Sequence, residues 1–506
     1  MISNIGAVSD IPLCNPADRA KLSPLAWLLI ALVFAVAILL RQIVPLNTDV
    51  SWLLTIGERV LDGQRLYVDI VEINPPMAVF AYLPGIAVAR ALGVDPKNVT
   101  DALILILAAA SLVATARVLR LSLLLSHARL ASLAIWAAAV VTVLPMQVFG
   151  QREHIATLTF LPALAVYAQR GNREQPPLWS ILMAGIGAGI TLAFKPFFLV
   201  PVVLCILLTV IRSRTWQVLF SPENFIAGSL VAIYAVSAYI FYPEYFAVTY
   251  PLVRDTYLSW SMPVSTVLFN SASALSAIAM IAILRVRKER SWDSAVLFTV
   301  LASLGFAISF FLQRRGWAYH SYPMVALALL AMGYALTADT DAKSNPRRPS
   351  IAAIAVLIAT FAFGILWFDT SVYVGPIEGA VEALKARPKI LVLSGEAAIG
   401  HPMVRTLHGV WVSRQENLWI REFVRLTREK TTVDTPTNAK LDGYLAQERS
   451  WLIEDFKRLP PDIVLVDNLR DGWGAWARAD SEVAELLKPY ALVQSIDGID
   501  ILRRAD

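Results

Sequence analysis

The chain has 506 residues, 57% of them hydrophobic and only 16% charged, with a formal net charge of +5. A soluble protein carries about a quarter charged residues, so this composition excludes an ordinary soluble enzyme, and the positive balance reads as loop asymmetry rather than affinity for nucleic acid. Two cysteines, Cys14 and Cys205, exclude a disulfide framework.

Residues 1–24 form a mixed tail in which Asp10 and Asp18 offset Arg19 and Lys21. The apolar run from Leu25 that follows has no small-residue cleavage site, so it reads as a retained first helix behind a cytoplasmic tail. Apolar segments fall near 25–45, 76–94, 101–124, 128–148, 154–169, 178–194, 197–212, 224–243, 263–284, 293–312, 317–337 and 350–369. Many reach the roughly 20 residues that cross a bilayer core. The basic loops occur at every second connection: Arg117, Arg120 and Arg129; Arg170 and Arg173; Arg212 and Arg214; Arg285, Arg287, Lys288 and Arg290; Lys343, Arg347 and Arg348. The positive-inside rule puts them in the cytoplasm. With a cytoplasmic N-terminus this works only if 76–94 does not span. That segment follows Pro75-Pro76 and contains Pro84 and Gly85, as a broken interfacial helix does. About eleven spans remain, and residues 46–100 form one long outer segment.

From Val374 the character changes. An amphipathic IEGAVEALKARP, apolar runs in KILVLSGE and PPDIVLVDNL, and a closing YALVQSIDGIDILRRAD alternate helix and strand patterns. The last reads as a hairpin about Asp497-Gly498. Residues 430–439 read as a loop. Residues 373–506 thus predict a soluble α/β domain behind a transmembrane domain at 25–372.

Ionisable residues beside apolar segments are costly and mark function. Asp49 follows the first helix, where it is either a working carboxylate or the cap of a helix over Ser51 to Leu61. Asp69 and Glu72 precede Asn74-Pro75-Pro76, as site residues or turn residues. Arg152, Glu153 and His154 open an apolar run; Glu153 or His154 with Asp49 offers a divalent-cation site, or contacts for a substrate. Lys195, before Pro196, suits a lipid phosphate as a compact charge, or snorkels to the interface. Arg314 and Arg315 break the positive-inside rule on the outer face, which suits bidentate phosphate contact or lipid headgroups. Tyr319 and His320 follow as further substrate contacts, although Trp317 and Tyr319 also suit an interface belt. His401 and His408 have no catalytic spacing and read as surface residues.

Carboxylates at two outer loops and cations at two others resemble the site of the GT-C glycosyltransferases, especially the aminoarabinose lipid A transferase and protein O-mannosyltransferase branch. The shared order is Asp49 just after the first helix, LDGQRLYVDIVEINPP behind it, an acid opening a later helix at Glu153, Lys195-Pro196, and Arg314 to Tyr322. Glu153 stands within Arg-Glu-His where the family more usually has Asp. The resemblance implies a multi-pass protein of the bacterial inner membrane with site and C-terminal domain in the periplasm. It implies inverting transfer of a sugar from a polyprenyl-phosphate donor to a cell-envelope hydroxyl, with Asp49 as base and the phosphate on Lys195 and Arg314 or Arg315. A divalent cation stays open. A polysaccharide ligase or polymerase would place arginines and a histidine in one large outer loop, and a transporter would show internal repeats and mid-bilayer charges.

Overall fold

The computed structural model describes residues 22–121, 130–287, 292–337, 351–370, 372, 374–430, 432–469 and 472–505. The N-terminal tail through Lys21, Arg129, Lys288, Arg290, Lys343, Arg347 and Arg348 lie outside the described residues.

Among the described residues, helices occupy all eleven segments predicted to span: α1 Pro24–Ile43, α5 Pro96–Leu121, α6 Leu130–Thr142, α7 Arg152–Gly171, α8 Leu178–Phe194, α9 Leu199–Ser213, α10 Pro222–Phe241, α13 Ser271–Arg287, α14 Ser294–Gln313, α15 Ala318–Thr337 and α16 Ile351–Phe368. Six helices among the described residues are long and apolar enough to cross a membrane: α1, α5, α10, α14, α16 and the Pro196–Ser213 run containing α9. The first residues fix where α1 begins. Ser23 accepts the Ala26 N–H at 3.2 Å, and Pro24 stands at the first helical position, where its missing N–H costs nothing.

The segment 46–100 holds α2 Thr48–Leu61, α3 Met77–Phe80 and α4 Leu83–Leu92. Pro76, Pro84 and a left-handed Gly93 divide the 76–94 run into two short helices, neither long enough to span. Between α10 and α13 lie the short helices α11 Tyr250–Asp255 and α12 Val264–Leu268.

Helix α7 is the axis of the bundle. It packs on α5, α8, α9, α14 and α15 and is buried almost from end to end. Its closest partner, α8, meets it through Gly187, whose missing side chain leaves room for the Thr159 carbonyl. Nearby the Thr159 and Thr191 hydroxyls share a 3.0 Å hydrogen bond. At 1.5 Å per residue its 20 residues rise about 30 Å. Arg152 and Glu153 are therefore at one face of the bundle, and Arg170, forked onto Glu223 at 3.0 and 3.1 Å, is at the other.

The C-terminal part is a five-stranded sheet, β1 Lys389–Leu393, β2 Val410–Trp411, β3 Ile463–Asp467, β4 Tyr490–Ile496 and β5 Ile499–Arg504, in the order β2-β1-β3-β5-β4. Strands β1 and β3 pair in parallel, Ile390 opposite Ile463, and read as continuous apolar runs because both faces are covered. The β4–β5 hairpin turns on Asp497 and Gly498 with φ of 48° and 78°, the left-handed pair that an Asp-Gly turn provides. Helices α17 Gly375–Leu384, α18 Met403–Thr406, α19 Trp419–Lys430, α20 Thr435–Arg458, α21 Trp473–Ala479 and α22 Ser481–Leu487 complete it. The loop read at 430–439 is shorter than expected, since Asp434 caps α20 by accepting the Thr437 N–H at 2.8 Å.

The sheet domain is docked on the 46–100 segment and on the 245–262 connection. Arg405 forks onto Glu58 at 2.6 and 3.2 Å. Arg59 donates to the Ser413 carbonyl at 2.8 Å, and Tyr444 donates to Asp255 at 2.9 Å. Val71, Leu252 and Val253 share a buried cluster with Trp419, Ile420, Val424 and Leu441. Burial of that apolar area is the main attraction between the two parts.

Candidate active site

The first turn of α2 places Asp49. Asn47 is the cap, accepting the Val50 N–H at 3.3 Å and the Gln151 side-chain amide at 2.5 Å. Asp49 is thus not the capping residue, and its carboxylate sits near the positive end of the helix dipole. It accepts Arg152 Nη2–H at 3.1 Å and keeps about 30% of its side chain exposed.

Arg152 is brought there by the turn before α7. Gly150 takes φ +81°, its carbonyl accepts the Tyr82 hydroxyl at 2.7 Å, and α7 begins two residues later. The Arg152 side chain is 3% exposed, and its Nε and Nη1 have no acceptor among the described residues. A buried guanidinium with two idle donors is a ready anion site.

Glu153, 0% exposed, pairs with Lys195, which stands between α8 and the turn at Pro196–Phe198. Lys195 also donates to His320 Nε2 at 2.9 Å and lies 5.5 Å over the Tyr319 ring. Glu153 Oε2 and His320 Nδ1 have no hydrogen-bond partner among the described residues. Three helices separated in sequence thereby set an ammonium group over two buried polar side chains.

Glu72 is 2% exposed and accepts Trp52 Nε1–H at 2.7 Å, the Asn74 N–H at 2.8 Å and the Asn74 amide at 2.5 Å. Burial raises its pKa against these donors and the nearby Arg152.

Asp49, Glu72, Arg152, Lys195 and Tyr319 all line one cavity of about 460 Å³ between the bundle and the C-terminal domain, within the range of small-molecule sites. Tyr257, Trp260, Trp317, Trp52 and Trp419 give it aromatic walls, and the C-terminal domain adds Glu396, His401, Glu416 and Glu422.

Several sequence expectations need correction. Arg315 is 4% exposed and donates to the Trp260 and Tyr257 carbonyls, each at 2.7 Å, with its guanidinium 4.1 Å from the Tyr257 ring. It clasps a connecting loop instead of facing the cavity. Arg314 caps α14 in the left-handed region at φ 47° and is exposed away from it. His154 accepts the Gly150 N–H on Nδ1 at 3.1 Å and bonds the Val141 carbonyl through Nε2 at 2.8 Å, packed on Phe149 and Tyr322. Both ring nitrogens are committed, so it is neither a metal ligand nor a substrate contact. Asp69 bonds the Arg65 backbone and side chain at 2.8 and 3.5 Å, outside the cavity. Asp49 and Glu153 each hold a cation, and among the described residues no group of three His, Cys, Asp or Glu is placed to hold a metal ion. His401 is fully buried, bonded to Ser51 at 3.1 Å and packed edge-on against Trp52 and tilted against Trp411, while His408 is exposed as expected. Burial and the nearby Arg405 bring the His401 pKa down to about 3.

The carboxylates of the C-terminal domain had no signal in the sequence, because acids in a soluble-type stretch are ordinary. Trp52 and Glu72 had one: both flank the juxtamembrane segment that carries Asp49.

No protein-family model matches the chain, and no curated protein matches it in sequence. Solved structures do match. ArnT from Cupriavidus metallidurans bound to undecaprenyl phosphate superposes with a TM-score of 0.57 at 12% identity, over 95% of this chain and 98% of that one. The apo state of the same protein gives 0.55 at 13% identity, over 94% and 97%. The chain therefore has the fold of ArnT along almost its entire length.

Proposed function

We propose that this protein is a GT-C glycosyltransferase of the bacterial inner membrane that moves a sugar from a polyprenyl-phosphate donor to a cell-envelope hydroxyl on the periplasmic face. The observation that carries this reading is that a partly exposed carboxylate, Asp49, shares one cavity with Arg152 and Lys195. A polyprenyl phosphate seen in the fold neighbour supports a lipid phosphate as the group that those cations hold.

The acceptor hydroxyl gives its proton to Asp49 as its oxygen attacks the anomeric carbon. The bond from that carbon to the phosphate oxygen breaks, and the electron pair leaves on polyprenyl phosphate. Arg152 and Lys195 stabilise the charge that grows there, in place of the arginines at 314 and 315. Attack opposite the leaving group inverts the anomeric centre. Glu153 orients Lys195, and Glu72, held by Trp52 and Asn74, faces the sugar hydroxyls.

The test is transfer from radiolabelled polyprenyl-phosphate sugars by the purified protein beside Asp49→Asn. The variant should lose about 10²–10⁴-fold in kcat with its fold intact. Full activity in Asp49→Asn removes Asp49 as the base, and no turnover by the wild type with any donor removes the function.

A further inference from the structure

The C-terminal domain brings several side chains to the cavity that the mechanism above does not use, Glu416 among them. Residues 413–417 join β2 to α19 and are pinned on both sides. The Ser413 carbonyl accepts from Arg59 at 2.8 Å and the Arg414 carbonyl from the Val71 N–H at 2.8 Å. The Gln415 carbonyl accepts from Trp411 Nε1–H at 2.8 Å, and the Asn417 amide donates to the Gly395 carbonyl. Glu416 is the exception. It lines the cavity without a hydrogen-bond or ion-pair partner among the described residues, and its Oε1 is enclosed.

A carboxyl oxygen enclosed without a partner, as Glu416 Oε1 is, opposes folding. In a loop held this firmly, and with no partner among the described residues, the carboxyl is free to pair with a group of the substrate. The charged groups acting on it are the Asp49 and Glu72 carboxylates, then the Arg152 guanidinium, then Glu396, and burial together with the acids raises its pKa well above the ordinary value. A carboxyl that keeps its proton donates one hydrogen bond and accepts others. That combination matches a sugar hydroxyl, which does the same, while the phosphate is served by Arg152 and Lys195.

We propose that Glu416 is a specificity-determining residue, whose carboxyl exchanges hydrogen bonds with a ring hydroxyl of the sugar being transferred or of the sugar that accepts it. The proposal rests on the transferase reading above. It makes the C-terminal domain part of the substrate site.

The experiment uses the full-length protein with Glu416→Ala, the volume-matched Glu416→Met, and Glu416→Gln, which keeps a donor and an acceptor. Donor KM, acceptor KM, kcat and thermal midpoint are measured for each. Ala and Met should raise one of the two KM values about 10–100-fold, and which one rises identifies the sugar. Gln should stay within about threefold. The midpoint should hold or rise in Ala and Met, since no intramolecular bond is lost. Both KM values unchanged in an active Ala or Met variant overturns the proposal while the transferase reading stands. A fall in midpoint with unchanged KM overturns it in favour of a structural role. Failure of the wild type to use any polyprenyl-phosphate sugar overturns the function, and this proposal with it.

Discussion

Removing either partner of the Glu153–Lys195 pair should damage the protein unequally. Glu153 is almost sealed, with 1% of its side chain exposed, one oxygen without a partner among the described residues, and Lys195 as its ion-pair partner; His320 Nε2 stands 3.6 Å away. Lys195 is 12% exposed, reaches the cavity and has the Gln313 and His320 side chains at 3.5 and 2.9 Å. Lys195→Met therefore strands a buried carboxylate, at about 3–5 kcal/mol. Glu153→Gln leaves an ammonium that can still reach water, at roughly 1–3 kcal/mol by the same reasoning. The double variant removes both charges and should lose less than the sum of the two single losses, by a coupling energy of about 2–3 kcal/mol. The assay is denaturant unfolding of the four proteins in one detergent, with transfer measured alongside. Activity should stay lost in the double variant, because the cation facing the phosphate is gone. Additive stability effects, or a Glu153→Gln loss exceeding that of Lys195→Met, would refute this account of the pair. Recovery of transfer by the double variant would refute the phosphate role of Lys195.

Adjacent arginines should part company: Arg315→Met should lower stability by about 2–4 kcal/mol through its two carbonyl bonds, and Arg314→Met should stay within about 0.5 kcal/mol. A donor KM raised tenfold by Arg314→Met would return that residue to the phosphate site. Glu448, 3% exposed, accepts the Ile420 and Arg421 N–H groups, and burial raises its pKa to about 7. Because the folded value lies above the unfolded one, its contribution is full below pH 4.5 and is lost as pH rises through 7. The difference in stability between wild type and Glu448→Gln should therefore change by about 3 kcal/mol across that window, and a flat difference curve would contradict it. Arg405→Ala removes the fork onto Glu58, and hydrogen exchange in α2 and α18 should rise with little change in the sheet; uniform exchange would show that this contact does not dock the domain.

The bundle was legible because a run of twenty apolar residues has few other places to go, and the break at 76–94 was legible because proline has no N–H to give a helix. Asp49, Arg152, Glu153 and Lys195 stood out for a related reason: charge among apolar neighbours needs a partner, and each of them has one. The same logic misjudged Arg315 and His154. Their partners are backbone carbonyls and an N–H, which every residue carries and no pattern reveals. Arg314 and Arg315 differ by one position and point to different surroundings, a distinction set by the left-handed turn at Arg314. The wall supplied by Glu396, His401 and Glu416 was hidden because nothing in a soluble-type stretch indicates which loop will land over a membrane site.

That wall also sets a clock on synthesis. Asp49 and Glu416 face one cavity but stand 367 positions apart in the chain (416 − 49). At about 5–20 residues per second, roughly 20–70 s separate their emergence from the ribosome. During that interval the nascent chain already displays Asp49, Arg152 and Lys195 to the membrane without a roof over them. The site closes only after the last helix is inserted and β2 and α19 have folded against α2, so a product truncated before the sheet domain holds its charged half open to water.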